Sequence, residues 1–568
     1  MHLVLLAVAF LILLMMAYRL YGGWVSRQMN LDDRRVTPAH KVNDGIDFVP
    51  TKMVYLFPQH FSAIAAAGPI AGPILACQSF GWLPCLLWIG LGVVLIGAVH
   101  DFSSLTASVR HGGTSIADIT RSLMGPRAGV AIMLFIWITL IYVTVAFTAM
   151  TSASFVTAPD ELKSVVVDFN PGGAVAAASI MYLLLSVVMG LVQRFLRPPL
   201  WLLTIIFVPA TLGVVWLGTS LSTLLTFDAR TWGLLILAYC AVASVVPVWA
   251  LLQPRGYLGG FILFLALGLG VIGIFFGGYE IKQEAFRSFD IGGATGTLFP
   301  FLFVTIACGA CSGFHGLVCS GTTCKQIDKE SHIRPVGYGA MLAEGFVAFI
   351  SLVTIMIVAS SEIAGLSPAT IYGNGIGNFL TLLIGKENLP FAITFGAMAF
   401  STFVFDTLDV CTRLGRYILQ EIFHWPGKIG AIAATLITVA VPVYFVATSL
   451  DVGWRAFWTL FGASNQLLAA LTLLAISVWL YKARKRIAFT LLPMLFVLVI
   501  TLWALGKLTY NNFTAENITT VMILNGIASL SLILLAVYLV IKGLMESRKR
   551  GGAESDFTQP EPSQHPAN

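Results

Sequence analysis

Glu344 stands in Leu342-Ala-Glu-Gly, about seven residues into an otherwise apolar run of this 568-residue chain. An ionisable group inside a bilayer span costs roughly 2.5–3.5 kcal/mol on insertion scales and is by default a candidate for function. A carboxyl in a dry setting keeps its proton more readily than in water, which suits Glu344 to carry one. The competing reading is a neutral acid hydrogen-bonded to a neighbouring helix. Asp406 and Asp409 lie three apart and share one helical face. Asp409 is a second candidate for proton coupling, and Arg413, four residues beyond it, is expected to pair with it. His315 lies in Cys308-Gly-Ala-Cys-Ser-Gly-Phe-His, where an imidazole binds a carboxylate or relays a proton. His100 and Asp101 are sequence neighbours at the end of an apolar run and, on a helix, are not expected to face each other. With His60 and Arg413 they are assigned to gating or structural roles. Asn465 and Gln466 in apolar surroundings bond across helices or touch a substrate.

Several chemistries are excluded by spacing. Cys308, Cys311, Cys319 and Cys324 flank His315, but a zinc site wants four convergent ligands. Two of these cysteines share a turn and the others fall near the segment end, so neither a metal nor a cofactor is expected. The eight cysteines read as reduced packing residues. His-Glu-x-x-His is absent, as is a Gly-x-Ser-x-Gly nucleophile turn, and no Gly-x-x-x-x-Gly-Lys-Ser/Thr loop is present. An enzyme and an ATP-driven pump are therefore both disfavoured.

The candidates lie on or beside two segments whose backbone resists the helix. His60 to Leu75 places Gly68-Pro69 and Gly72-Pro73 at mid-span. Each proline removes a donor and clashes with the preceding turn, so a break is expected, with a packing kink as the alternative. Phe301 to Thr323 carries Gly309, Ala310, Ser312, Gly313 and Gly316, which allow close backbone approach. Broken membrane helices free backbone groups for substrates. Gly68, Pro69, Gly72, Pro73, Gly309, Ser312, His315, Asn465 and Gln466 are accordingly the expected substrate-binding set. A faint echo joins the two segments: Phe61, Ile64 and Ala65 align with Phe303, Ile306 and Ala307 at one offset of 242.

The whole chain is built to hold such segments in a membrane. It is 57% hydrophobic and 11% charged, against roughly 25% charged in soluble domains. Its mean hydropathy is +0.87. An all-α polytopic fold of about fifteen spans follows, near 2–18, 60–77, 82–101, 128–157, 173–192, 199–218, 231–252, 258–277, 298–318, 337–360, 389–411, 429–448, 454–480, 485–505 and 518–541. The stretch 366–384, with Asn374 and Asn378, is left as re-entrant or superficial. With the N-terminus outside and the C-terminus cytoplasmic, no outer loop holds more than two Lys or Arg. The net charge of +6 is thus explained by inner loops rather than by a nucleic-acid partner. Seven spans separate the starts of the two special segments, so these cross in opposite directions, as in an inverted repeat. A division into 1–59, 60–297, 298–545 and 546–568 is expected, the first a helix with a charged loop and the last a disordered cytoplasmic tail. The loop 27–52 reads equally as an ordered cap or a solvated linker.

Separated motifs in order make the chain similar to the carbon starvation protein A family over nearly all of 17–480. They are Ala17-Tyr-Arg-Leu-Tyr-Gly, Thr37-Pro, Asn43-Asp-Gly-Ile-Asp-Phe-Val-Pro-Thr, His60 through Gly72-Pro73, and Gly97-Ala-Val-His-Asp-Phe. Further along are Phe299-Pro-Phe-Leu-Phe, Thr305-Ile-Ala-Cys-Gly-Ala, Ser312-Gly-Phe-His, Ser320-Gly-Thr-Thr, Gly337-Tyr-Gly-Ala-Met-Leu-Ala-Glu, Thr412-Arg with Arg416, and Leu460-Phe-Gly-Ala-Ser-Asn-Gln. The resemblance implies an inner-membrane carrier, related to amino-acid/polyamine carriers, that imports pyruvate or peptides with protons during carbon limitation. Two features depart from the family: a shorter region between about 360 and 390, and cysteines at 311, 319 and 324. Substrate choice is therefore not carried over. The expected partners are a small carboxylate or peptide, protons and the lipid bilayer. The alternatives are a nutrient-sensing receptor that binds without transport, and an amino-acid carrier coupled to Na⁺.

Overall fold

The computed structural model describes residues 3–45, 47–65, 67–156, 169–293, 295–363, 365–449 and 454–549. The expected tail from Gly551 onward lies outside the described residues. Among them all regular elements are helical, and β pairing is limited to two bridges, Thr51 with Ile327 and Asp290 with Thr297. Helices satisfy their own backbone where water is absent, which is the constraint such an apolar chain must meet.

In chain order the helices are α1 (Leu3–Gln28), the pair α2 (Met53–Ile64) and α3 (Gly68–Phe80), α4 (Trp82–Arg110), α5 (Pro126–Ser154), α6 (Pro171–Phe195) and α7 (Leu200–Ser220). Then come α8 (Ala229–Val245), α9 (Leu252–Phe276), α10 (Leu298–Thr305), α11 (Gly313–Gly321), α12 (Glu330–Met356) and α13 (Pro368–Ile384). The last are α14 (Leu389–Phe423), α15 (Gly427–Ser449), α16 (Trp454–Lys482), α17 (Ala488–Thr514) and α18 (Thr520–Ser547). Among the described residues, twelve helices are long and apolar enough to cross a membrane. The other three expected spans correspond to the bent pair α2/α3, the short α8, and the split α10/α11.

Local chemistry sets the helix starts. Pro69, Pro126, Pro171 and Pro368 occupy first turns, where no amide donor is needed. Asn170 accepts from the Gly173 amide at 3.0 Å and Ser367 from that of Thr370 at 3.2 Å, each satisfying a free first-turn donor. The stretch 366–384 is not superficial: it forms α13, buried along one face. Gly385, at φ 87°, turns the chain back so that α13 runs antiparallel to α14. A Cβ on Gly373 would sit 2.9 Å from that of Ala397, and one on Gly377 3.0 Å from the Ile393 amide. Glycine is what permits this approach. At the centre stands α16, buried throughout its apolar length, while α1, α7 and α18 lie at the rim.

The charged loop after α1 is ordered, which settles the alternative left by its charge pattern. It docks along the segment joining α11 to α12. Thr51 donates to the Gln326 carbonyl at 3.0 Å, His40 meets Asp328 at 2.8 Å, and Asp33 accepts from Ser331. Buried Glu330 is the hub: it accepts from the Asp32 amide (2.9 Å), Arg35 (3.2 Å) and Arg110 at the end of α4 (3.2 Å). At the outer edge, hydrogen bonds from Arg34 hold the Asp32 carboxyl down at about 2.

Breaking one partner of a buried ion pair costs about 3–5 kcal/mol. Glu330→Gln is therefore expected to lower the thermal midpoint of the detergent-solubilised chain and to expose Arg34, Arg35 and Lys41 to trypsin. The exposed pair Arg121–Asp118 is the control, and Asp118→Asn should shift stability by less than about 1 kcal/mol.

Candidate functional site

Both special segments are broken. The first bends by 43° between Ile64 and Gly68. The break precedes the Gly-Pro pairs instead of falling on them: Pro69 lies in the first turn of α3, and Pro73 rides inside that helix without interrupting it. The second segment leaves the helix after Thr305 and resumes at Gly313. The two breaks pack on each other. A Cβ on Gly68 would overlap the Cys308 sulfur, one on Gly72 would lie 2.7 Å from the Thr305 carbonyl oxygen, and one on Gly309 3.4 Å from Pro69. Rising numbers in one segment meet falling numbers in the other, so they pass antiparallel.

The carbonyls released by the second break are taken by side chains of other helices. Trp88 Nε1 donates to Ile306 O at 3.1 Å, Trp458 Nε1 to Thr305 O at 3.2 Å, and Gln466 Nε2 to Phe303 O at 2.9 Å. Asn465 Oδ1 accepts from the Phe314 amide at 2.9 Å, and its Nδ2 donates to Ser312 Oγ at 3.1 Å. In this conformation Asn465 and Gln466 hold the break together. In the first segment, Ser351 of α12 donates to Ile70 O in the first turn of α3 at 2.5 Å.

Beside the second break, α4, α11 and α12 bring four titratable groups together. Asp101 accepts from His315 Nδ1 at 2.9 Å and from His100 Nδ1 at 2.8 Å. His315 Nε2 lies 3.1 Å from Glu344 Oε2. His315, His100, Asp101 and Glu344 are each at most 1% exposed. An ionised Asp101 only accepts, so both rings present Nδ1–H to it. His60 lies nearby, its Nδ1 2.8 Å from Thr323 Oγ1. His60 Nε2, His100 Nε2 and both carboxyl oxygens of Glu344 are buried without a hydrogen-bond partner.

Two expectations fail here. His100 and Asp101 do meet, because both turn into the seam where His315 enters. They are not at a helix end either, since α4 continues to Arg110. Two of its later hydroxyls bond back to their own helix, Ser103 to Val99 O at 2.6 Å and Thr106 to Phe102 O at 2.7 Å. The expected Asp409–Arg413 pair is also absent. Arg413 donates to the Ala243 and Val246 carbonyls at 2.7 Å, capping the end of α8. Asp409 pairs with Arg255 instead, as does Asp406, both at 2.5 Å, and Tyr239 OH donates to Asp409 at 2.8 Å. Arg255 was missed because it follows Gln253-Pro254 at the edge of an apolar run, where it counts as one more loop cation. No local signal marks the acids that it meets 151 and 154 residues later.

The profile described as carbon starvation protein CstA matches residues 1–375 and 359–504. A peptide transporter CstA from Bacillus subtilis is 32% identical, covering 95% of this chain and 96% of its own length. A pyruvate/proton symporter, BtsT, from Escherichia coli is 32% identical over 87% of this chain and 80% of its own. Among solved structures, a variant manganese transporter from Eremococcus coleocola aligns with a TM-score of 0.49 at 12% identity, covering 87% of this chain and 95% of that one.

Overpacking a close contact costs about 1–3 kcal/mol. Gly68→Ala is therefore expected to lower the thermal midpoint, and adding Cys308→Gly should recover part of the loss. A Gly68→Ala chain as stable as the parent would contradict the packing of the two breaks.

Proposed function

We propose that this chain, which belongs to the CstA family of carbon starvation proteins, is a membrane transporter of pyruvate or peptides that couples uptake to protons at His315 and Glu344. The observation that carries the coupling is the buried line Asp101–His315–Glu344, at 2.9 and 3.1 Å, set against a broken helix. Histidine is the side chain whose charge changes near neutral pH, and a carboxylate on each side gives its proton two resting places. The family supports the cargo class: relatives are a peptide transporter and a pyruvate/proton symporter.

The finer architecture belongs to the same reading. The chain crosses an inner membrane about fifteen times, N-terminus outside and C-terminus cytoplasmic, with 60–297 and 298–545 as inverted halves. The antiparallel contact of the two breaks supports this. So does their position: α2 ends at Ile64 and α10 at Thr305, within one residue at the offset of 242. Uptake then proceeds by rocking of one half against the other, exposing the breaks alternately. Gly68, Pro69, Gly72, Pro73, Gly309, Ser312 and His315 meet cargo when the breaks part, and Asn465 and Gln466 then have donors to spare. His60 and His100, each with a buried unpartnered Nε2, are placed beside the proton path.

Counterflow of labelled pyruvate in proteoliposomes, challenged with unlabelled pyruvate and di- and tripeptides, tests the function. Glu344→Gln is expected to keep counterflow and to lose accumulation driven by an imposed proton gradient. Unchanged pH dependence in that variant removes Glu344 from the mechanism, and binding without flux makes the chain a receptor.

A further inference from the structure

We propose that Arg255 is a carboxylate-exchange site, where a cargo carboxylate takes the place of Asp406 on the guanidinium while Asp409 stays. The inference rests on the reading that the cargo carries a carboxylate, as pyruvate and the C-terminus of a peptide both do. Arg255 is the most deeply buried cation among the described residues, at 0% exposure. Its guanidinium presents parallel donors matched to carboxylates, and it does not shed its charge. The Nη2 donors freed when one carboxylate leaves are therefore suited to another anion.

Its two present partners are held unequally. Asp409 Oδ2 accepts from Tyr239 OH and ion-pairs with Arg255 Nη1, which itself donates to Tyr239 OH, and its side chain is 2% exposed. Asp406 is tied by Arg255 Nη2 alone and is 22% exposed. Asp406 is therefore the partner able to turn away toward water. Tyr182 fixes the arginine's main chain, its OH donating to Arg255 O at 2.8 Å, so the guanidinium stays aimed when Asp406 leaves. Arg413, the other cation nearby, is committed to the Ala243 and Val246 carbonyls.

Independent observations point to a ligand here. Arg255 Nε, Asp409 Oδ1 and Thr402 Oγ1, one turn before Asp406, are buried without a hydrogen-bond partner. Buried polar atoms in folded proteins are almost always paired, and a donor and acceptors left open together mark a place where something else binds. The place is also connected to the first break. A Cβ on Gly259 would lie 3.0 Å from Asp406 Oδ2, and one on Gly260 3.5 Å from Ser62 Oγ of α2, three residues before the bend. A movement of α2 thus reaches the pair directly.

The test uses the full chain in proteoliposomes, with labelled pyruvate in counterflow and pyruvamide, its neutral amide, as competitor. Asp406→Asn weakens the internal competitor and is expected to lower KM several-fold. Arg255→Lys should raise KM by about tenfold or more and narrow the discrimination between pyruvate and pyruvamide. Unchanged KM and discrimination in both variants, or a raised KM in Asp406→Asn, overturns the site. Should Arg255→Lys not fold, Asp406→Asn alone decides. Thermal stabilisation of the purified chain by pyruvate or alanyl-alanine reads the site without flux. Stabilisation that Arg255→Lys abolishes, in a chain showing no counterflow, sinks the carrier reading and keeps the site. Stabilisation by neither compound overturns the site whatever the flux.

Discussion

Every peptide group in a dry interior needs a hydrogen bond, and interrupting a helix there leaves groups that only other side chains can serve. This constraint shapes the centre of the molecule. Three carbonyls of α10 and its unwound exit are met by Trp88 of α4 and by Trp458 and Gln466 of α16, and the amide that opens α11 is met by Asn465. Each of these side chains stands on a long helix, α4 or α16. The irregular backbone is thus defined by the regular one around it. Gly462 belongs to the same set: it lies against the Val304 carbonyl, and no larger residue would let α16 come close enough for Asn465 and Gln466 to reach.

Two buried ionic groups share one plan. In each, a nitrogen base stands between two carboxylates: His315 between Asp101 and Glu344, and Arg255 between Asp406 and Asp409. The difference is in the base. An imidazole can take up or release a proton, so the first group can change charge without anything moving far. A guanidinium keeps its charge, so the second group is suited to exchanging one anion for another. One group is suited to a proton and the other to an acid, and both lie beside a broken helix.

Much of this was legible in residue types. Low charge and long apolar runs gave the helices, the Gly-Pro pairs and the glycine-serine run marked both breaks, and Glu344 and His315 stood out as ionisable groups in apolar stretches. What escaped depends on distance along the chain or on local compensation. Asp101 looked like a helix end because serines and threonines follow it, and their bonds to their own helix are invisible in hydropathy. Pro73 looked like a breaker although α3 absorbs it, since the break had already occurred a turn earlier. Asp409 had an arginine four residues away and a better one 154 residues upstream. Periodicity reports which face of a helix a residue takes, not which other helix will come to meet it.

The docking of residues 29–52 onto 325–334 carries a consequence for biosynthesis. The loop leaves the ribosome nearly 300 residues before its partner does. At about 5–20 residues per second, it waits on the order of tens of seconds with its surface unclaimed. A loop so rich in Asp and Arg (Asp32, Asp33, Arg34, Arg35, Asp44 and Asp47) tolerates that delay in water without drawing other chains to it. Its charges serve first as a solvent-compatible coat and only later as a clasp. The N-terminal region is therefore completed only after the second broken segment has arrived to close it.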